Sequence, residues 1–316
     1  MTALIVKVPG KTILVGEHAV VYGFPAIAIP VLQLITTVQI FPKIGKLPDD
    51  IIFHAPDINL CAALLQLDST HPFSIAIKTV RTFFKLPTYP ACDIHIKSSI
   101  PISAGLGSSA AIAVGLIQAL SNFIGANPNP ETIAKLAYQV EMEYHGTPSG
   151  IDNTVIAYKK PILFQKDQPI KIIIPINPIT ILIANSGIPG KTKDAVAGVR
   201  DRQTKSPEIV NPLLEKIGEI VNLADISIRN GEIENLGMLM NENHHLLQKI
   251  GVSHEKLDLL VNTAKQNGAL GAKLCGGGLG GNMIALVHPE QVAQIAKKLK
   301  NMGATQIFLA HLEGNA

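Results

Sequence analysis

Three short segments of this chain concentrate residues that could do chemistry. The first, Pro9-Gly10-Lys11-x-x-x-x-Gly16-Glu17-His18-Ala19-Val20-Val21-Tyr22-Gly23, sets a lysine, a glutamate and a histidine in a region otherwise poor in charge. The second is the glycine-rich turn Gly105-Leu106-Gly107-Ser108-Ser109-Ala110, preceded by Pro101 and followed by the apolar run AAIAVGLIQALSNFIG. Such a turn lets backbone N–H groups approach an anion, and the start of the helix that follows favours negative charge. Ser108 and Ser109 stand where a hydroxyl can cap that helix or reach a divalent ion. The third, His145-Gly146-Thr147-Pro148-Ser149-Gly150-Ile151-Asp152-Asn153, reads as a polar loop after a helix that carries Glu141 and Glu143. Loops that gather polar residues are where catalysis is usually housed.

Spacing excludes several familiar sites. Lys11-Thr12 and Lys191-Thr192 each follow a glycine, but the P-loop also needs a glycine five residues earlier, where Ile5 and Asn185 stand. Gly105, Gly107 and Ala110 fit the dinucleotide pattern, as do Gly276, Gly278 and Gly281. The latter set runs into a strand, and the former is followed about 20 residues on by the loop GANPNPE, where a ribose-binding acid should end a strand. The turn is not a G-x-S-x-G nucleophile elbow. His244-His245 sits on an amphipathic helix without acidic or cysteine partners at ligand spacing, so a structural role is expected there.

The elements that must position these residues follow from periodicity. The first hundred residues read mostly as strands, with LIVKV, TILVG, AIAIP and QLITTVQIF separated by glycine and proline. A helical segment over Pro56–Lys85, broken near Ser69–Phe73, interrupts them, and ACDIHIKSSI alternates as a half-buried strand. A helix over Pro130–Tyr144 is expected to end at His145-Gly146 in a left-handed glycine cap. Strands follow around VIAYKKPILF and IKIIIPINPITILIAN. From about Pro207 the chain turns to long amphipathic helices, PEIVNPLLEKIGEIVNLADISIRNG and EIENLGMLMNENHHLLQKIG. The end reads helix (HEKLDLLVNTAKQNG), strand (GAKLC), glycine loop, strand (NMIALV), helix (PEQVAQIAKKLKNMG), strand (TQIFLAHLEG). This segregation argues for α+β over a doubly wound sheet, with a domain boundary between 165 and 200.

Composition agrees. The 316 residues are 47% hydrophobic and 16% charged, enough for two packed domains and wrong for a disordered chain. A net charge of +3 without long like-charge runs argues against a nucleic-acid partner and for small molecules. Three cysteines without CxxC pairing fit a reducing compartment, and no signal-like run opens the sequence, so the cytoplasm is the expected location. Three charge-free stretches, Ala19–Pro42, Ser98–Pro130 and Ile172–Gly190, are each interrupted by proline and glycine. They read as buried core, not membrane spans.

PGKTILVGEHAVVYG (9–23), PISAGLGSSAA (101–111) and KLCGGGLGGN (273–282) resemble the three motifs of the GHMP small-molecule kinases. The likeness extends through AVAGVRDR (195–202) and HHLLQKIGVSHEKLD (244–258), and GEHAVVYG with HGTPSGIDN is similar to the branch of that family acting on mevalonate. The resemblance implies a two-domain α+β fold, with an N-terminal ribosomal-protein-S5-like, ATP-binding domain over 1–180 and a C-terminal ferredoxin-like domain over 181–316. It implies transfer of the γ-phosphoryl of ATP to the C5 hydroxyl of mevalonate, in isoprenoid precursor synthesis. Alternatives are another alcohol kinase of the family, for phosphomevalonate or homoserine, or a non-catalytic nucleotide-binding relative.

By the same resemblance, Asp152 and Lys11 are catalytic. The carboxylate would accept or orient the alcohol proton, and the lysine would stabilise the carboxylate and the developing alkoxide. Pro101, Gly105, Leu106, Gly107, Ser108, Ser109 and Ala110 would hold ATP. Mg2+ would be held by Glu141 and a loop serine, Ser109 preferred and Ser108 the alternative. Glu17, His18, Thr192, Gly276 and Gly277 match the substrate pocket, and a homodimer is compatible with the resemblance. The family's third motif usually reads K-L-T-G-A-G-G-G-G-C. Cys275, Leu279 and Asn282 depart from it here, and a Cβ at 279 is expected to limit backbone approach to a ligand.

Overall fold

The computed structural model describes residues 3–102, 104–145 and 148–314. The chain forms two compact units: Met1–Gly10, Leu34–Pro101 and Gly107–Lys159 in the first, and Lys11–Gln33, Ile102–Leu106 and Lys160–Ala316 in the second. Strands β1 (Leu4–Val15) and β2 (Ala26–Pro42) each contribute to both units. Sequence patterning splits each of them in two, at Pro9-Gly10 and near Pro30. The backbone instead stays extended through both sites, because proline's fixed φ lies within the β region.

The first unit continues with β3 (Ile51–Ala55), β4 (Leu60–Ala63), α1 (Pro72–Phe83), β5 (Cys92–Ser98), α2 (Ser108–Phe123), α3 (Pro130–His145) and α4 (Ile151–Tyr158). Its strands lie in the order β4-β3-β5-β2, with β3 parallel to β5 and the other pairs antiparallel. The four helices pack on one another. Gly115 brings α2 onto the sheet, for a Cβ there would sit 3.0 Å from Val38 Cγ2. Two expectations are corrected. Leu60–Ala63, inside the expected helix over Pro56–Lys85, pairs with β3, and the helix begins only at Pro72. A left-handed Asn59 turns the chain back to make that hairpin. Val155–Tyr158, read as a strand, belongs to α4, where Ile151, Val155, Ile156 and Ala157 are all buried. A helix buried on several faces shows no 3.6-residue apolar stripe, so its β-branched residues misdirect the reading. Gly146, the expected cap of α3, lies outside the described residues.

The second unit contains β6 (Ile162–Phe164), β7 (Lys171–Ile172), β8 (Ile179–Asn185), α5 (Thr192–Lys205), α6 (Pro207–Asn230), α7 (Ile233–Lys249), α8 (Glu255–Gln266), β9 (Gly271–Cys275), β10 (Asn282–Val287), α9 (Val292–Asn301) and β11 (Gln306–Leu312). Here β6 pairs with Ala26–Ala28 of β2 and with β7. A separate antiparallel sheet has the order β11-β8-β10-β9. Helices α7 and α8 pack on β9, and α9 on β8 and β11. Helix α5, which the sequence patterning did not mark, buries only Ala195 and Val199. The α+β class is the one expected. Among the described residues no helix is long and apolar enough to cross a membrane.

Helix α7 meets β9 through two glycines. A Cβ on Gly271 would lie 2.2 Å from the Gly237 carbonyl oxygen, so Gly271→Ala must push helix and strand apart. The variant is expected to unfold at lower urea concentration, with about 1–3 kcal/mol less stability.

Candidate active site

In the first unit, the glycine turn delivers the chain into α2 through Gly107, which is left-handed (φ 78°) and occupies the N-cap. Ser108 and Ser109 therefore lie inside the first turn, and the N-cap position, expected to be a serine, is a glycine with no side-chain cap bond. The Ser109 hydroxyl instead donates to Glu141 Oε1 of α3 at 2.7 Å, and Glu141 is 8% exposed. Ser109 and Glu141, both expected around a metal, are thus hydrogen-bonded to each other. Asp152 lies in the first turn of α4, half-buried, behind a left-handed Gly150 (φ 87°). Ile151–Asn153, expected in a loop, are helical; Thr154 fastens that turn by donating its hydroxyl to the Gly150 carbonyl at 2.7 Å.

In the second unit, parts of all three motifs meet. Lys11, 4% exposed on β1, donates its backbone N–H to the Leu106 carbonyl at 3.0 Å, beside Gly105. Two residues before Leu106, the Ala104 carbonyl accepts from the Asn282 side chain. Thr12 Oγ1 lies 2.7 Å from Cys275 Sγ, and burial pushes the Cys275 thiol up. The next cluster joins Glu17, His18, Thr192, Gly276 and Gly277, the five expected pocket residues. Glu17 Oε1 accepts from Lys273 Nζ, with the two side chains 1% and 0% exposed. Burial raises the Glu17 carboxyl, opposed chiefly by the Lys273 charge. A Cβ on Gly277 would sit 2.7 Å from Thr192 Cα, so this backbone favours glycine over the alanine usual in the family's motif.

His18 adopts a left-handed φ of 62°, rare for a side-chain-bearing residue. Its Nε2 is 2.9 Å from the Gly277 carbonyl oxygen. A carbonyl only accepts, so Nε2 carries the proton of the neutral ring. Burial lowers its pKa to about 4, with Arg202 and Lys273 adding to the shift and the Gly277 bond opposing it. The imidazole is therefore uncharged at neutral pH.

Sequence reasoning missed Lys273 as the partner of Glu17 and Asn282 as a tie to Ala104. The signal for the former was present: Lys273 is the single Lys, Arg, Asp or Glu between Lys265 and Glu290, and a charge in so apolar a strand must be paired.

Residues 74–160 match the family model for the GHMP kinases N terminal domain, and residues 224–305 the one for GHMP kinases C terminal. The chain belongs to the GHMP kinase family. It is 36% identical to the mevalonate kinase of Pyrococcus furiosus, over 96% of this chain and 95% of the relative. Its fold is similar to the crystal structure of the Methanococcus jannaschii mevalonate kinase, with a TM-score of 0.83, 31% identity and 99% of both chains covered. It is also similar to L. major mevalonate kinase in complex with R-mevalonate, at a TM-score of 0.80 and 30% identity over 100% of this chain and 97% of that one. Within the GHMP kinases, the chain belongs with the mevalonate kinases.

Two buried neutral imidazoles make stability depend on pH. His18 and His244 both have folded pKa values of about 4, against an ordinary value of 6.5. Between these values the unfolded chain binds protons that the folded chain does not. Their contribution is unchanged above pH 6.5 and is lost as pH falls toward 4, on the order of 3 kcal/mol for each. Thermal unfolding midpoints should fall steeply from pH 7 to pH 4.5; a flat profile would show that these rings titrate alike in the folded and unfolded chain.

Proposed function

We propose that the chain transfers the γ-phosphoryl group of ATP to the C5 hydroxyl of mevalonate, giving 5-phosphomevalonate and ADP, in the cytoplasm. The carrying observation is the full-length likeness to mevalonate kinases, one of them in complex with R-mevalonate. The family supplies ATP as the phosphate donor. A homodimer rests on the family resemblance alone.

In this reading Pro101 and the turn from Gly105 to Ala110 receive the triphosphate. Gly105 and Gly107 have φ of 74° and 78°, and a Cβ on Gly105 would meet nothing within 4 Å, so backbone there is open to a ligand. The first amides of α2 add a field that favours phosphate. Asp152 accepts the alcohol's hydrogen bond and orients or takes its proton, and the Lys11 ammonium favours the alkoxide charge as it develops. Glu141 and Ser109 present a carboxylate and a hydroxyl, the hard oxygen donors that suit Mg2+, which when bound would neutralise β- and γ-phosphate charge. His18, being neutral, contacts substrate by hydrogen bonding and packing, with Thr192, Gly276, Gly277 and the Glu17 carboxylate completing the pocket.

The test is ADP release with ATP and Mg2+ against mevalonate, phosphomevalonate, homoserine and galactose. Saturable turnover with mevalonate alone is expected. Turnover with a different alcohol would overturn the pocket assignment, and turnover with none would favour a non-catalytic relative. Asp152→Asn should bind ATP nearly as the parent does while kcat falls at least about a hundredfold. Near-normal turnover would remove Asp152 from the mechanism.

A further inference from the structure

Strand β9 lies at the edge of its sheet, yet all five of its residues are buried. Its outward backbone groups therefore need partners other than water. Side chains of α7 supply them. Asn241 Oδ1 accepts from the Ala272 N–H at 3.0 Å, and Asn241 Nδ2 donates to the Leu270 carbonyl at 3.4 Å. His244 Nδ1 accepts from the Leu274 N–H at 3.2 Å. The residue beside it, Asn243, is fully buried and accepts from the Gly16 N–H at 3.2 Å. Consecutive helical residues point about 100° apart, so these two reach different neighbours.

Those neighbours are the two sides of the expected substrate pocket. Gly16 precedes Glu17 and His18; Leu274 leads through Cys275 to Gly276 and Gly277; and His18 closes onto the Gly277 carbonyl at 2.9 Å. We propose that Asn243 and His244 are positioning residues, which set the spacing between the Gly16–His18 turn and the Leu274–Gly277 segment and so govern affinity for the alcohol substrate but not for ATP. The inference rests on the assignment of His18 and Gly277 to the mevalonate pocket.

The ring state of His244 fits this task. Nδ1 can accept only when unprotonated, which puts the proton of the neutral ring on Nε2, 3.2 Å from Asp258 Oδ1 of α8. Asp258 is itself held by the Ser253 hydroxyl at 2.5 Å. Burial lowers the pKa of His244 to about 4, aided by the Lys273 and Lys265 charges and opposed by Asp258.

Two substitutions separate positioning from bulk. In His244→Asn the amide oxygen can stand in for Nδ1 and keep the Leu274 bond. In His244→Gln the amide reaches toward Asp258, where Nε2 was, and the acceptor for Leu274 is lost. With both variants folded by thermal melt, His244→Gln should raise KM for mevalonate about tenfold, the scale of one buried hydrogen bond, with KM for ATP within about twofold. His244→Asn should stay within about threefold of the parent for both. Asn243→Asp, which keeps the acceptor for Gly16, should likewise exceed Asn243→Leu in mevalonate affinity. Equal mevalonate KM in the two His244 variants, or a KM for ATP that rises in step, would overturn the positioning role while leaving the proposed function intact. Failure of the parent protein to saturate with mevalonate would overturn the proposed function, and this inference with it.

Discussion

A carboxylate and an ammonium, Glu17 and Lys273, face each other with almost no access to water, and the second unit's site is built around that pair. Removing two charges from solvent is costly, and leaving one of them alone would cost roughly 3–5 kcal/mol. The arrangement therefore holds only while β1, the turn after it and β9 stay in register. Lys273 also donates to the Leu274 carbonyl at 2.7 Å, which fixes the direction of its chain. On either side of the pair, Thr12 meets Cys275 and His18 meets Gly277. The proposed substrate pocket is thus a seam of buried polar contacts between segments more than two hundred residues apart in sequence, closed by the short side chains of α7.

Three departures from the family's third motif, at Cys275, Leu279 and Asn282, can be read against this seam. Cys275, where the motif has threonine, keeps a hydrogen-bonding atom beside Thr12 and the Ile13 carbonyl. Leu279 stands at a left-handed φ of 56°, a conformation that explains why glycine is usual there and that costs about 1–2 kcal/mol for leucine. Its N–H is tied to the Val252 carbonyl at 2.9 Å, so the strained turn is held in place. Asn282, where the motif has cysteine, turns its amide onto the Ala104 carbonyl and ties β10 to the first half of the phosphate turn.

Much of this was legible in the sequence for physical reasons. Glycines needed at positive φ, a turn running into a helix and an apolar stripe along α6 and α7 each leave a local signature. What was not legible depends on partners distant in sequence. The eight residues of α4 look like a strand because burial on several faces erases helical periodicity, and Leu60–Ala63 looks helical until its pairing with β3 is known. The Glu17–Lys273 pair needed only the rule that a buried charge is matched. The role of Asn241, Asn243 and His244 in satisfying an edge strand could not be read from a helix pattern that merely looked amphipathic.

The central claim is that this seam and the glycine turn serve phosphoryl transfer to a primary alcohol. Proton-coupled 31P NMR of the product formed from ATP and mevalonate tests it most directly. The account predicts a new phosphomonoester signal split into a triplet by the two hydrogens of C5, growing in step with ADP. An unsplit phosphomonoester would place the phosphate on the tertiary hydroxyl, and free inorganic phosphate would mean that ATP is hydrolysed without transfer; either result would contradict it.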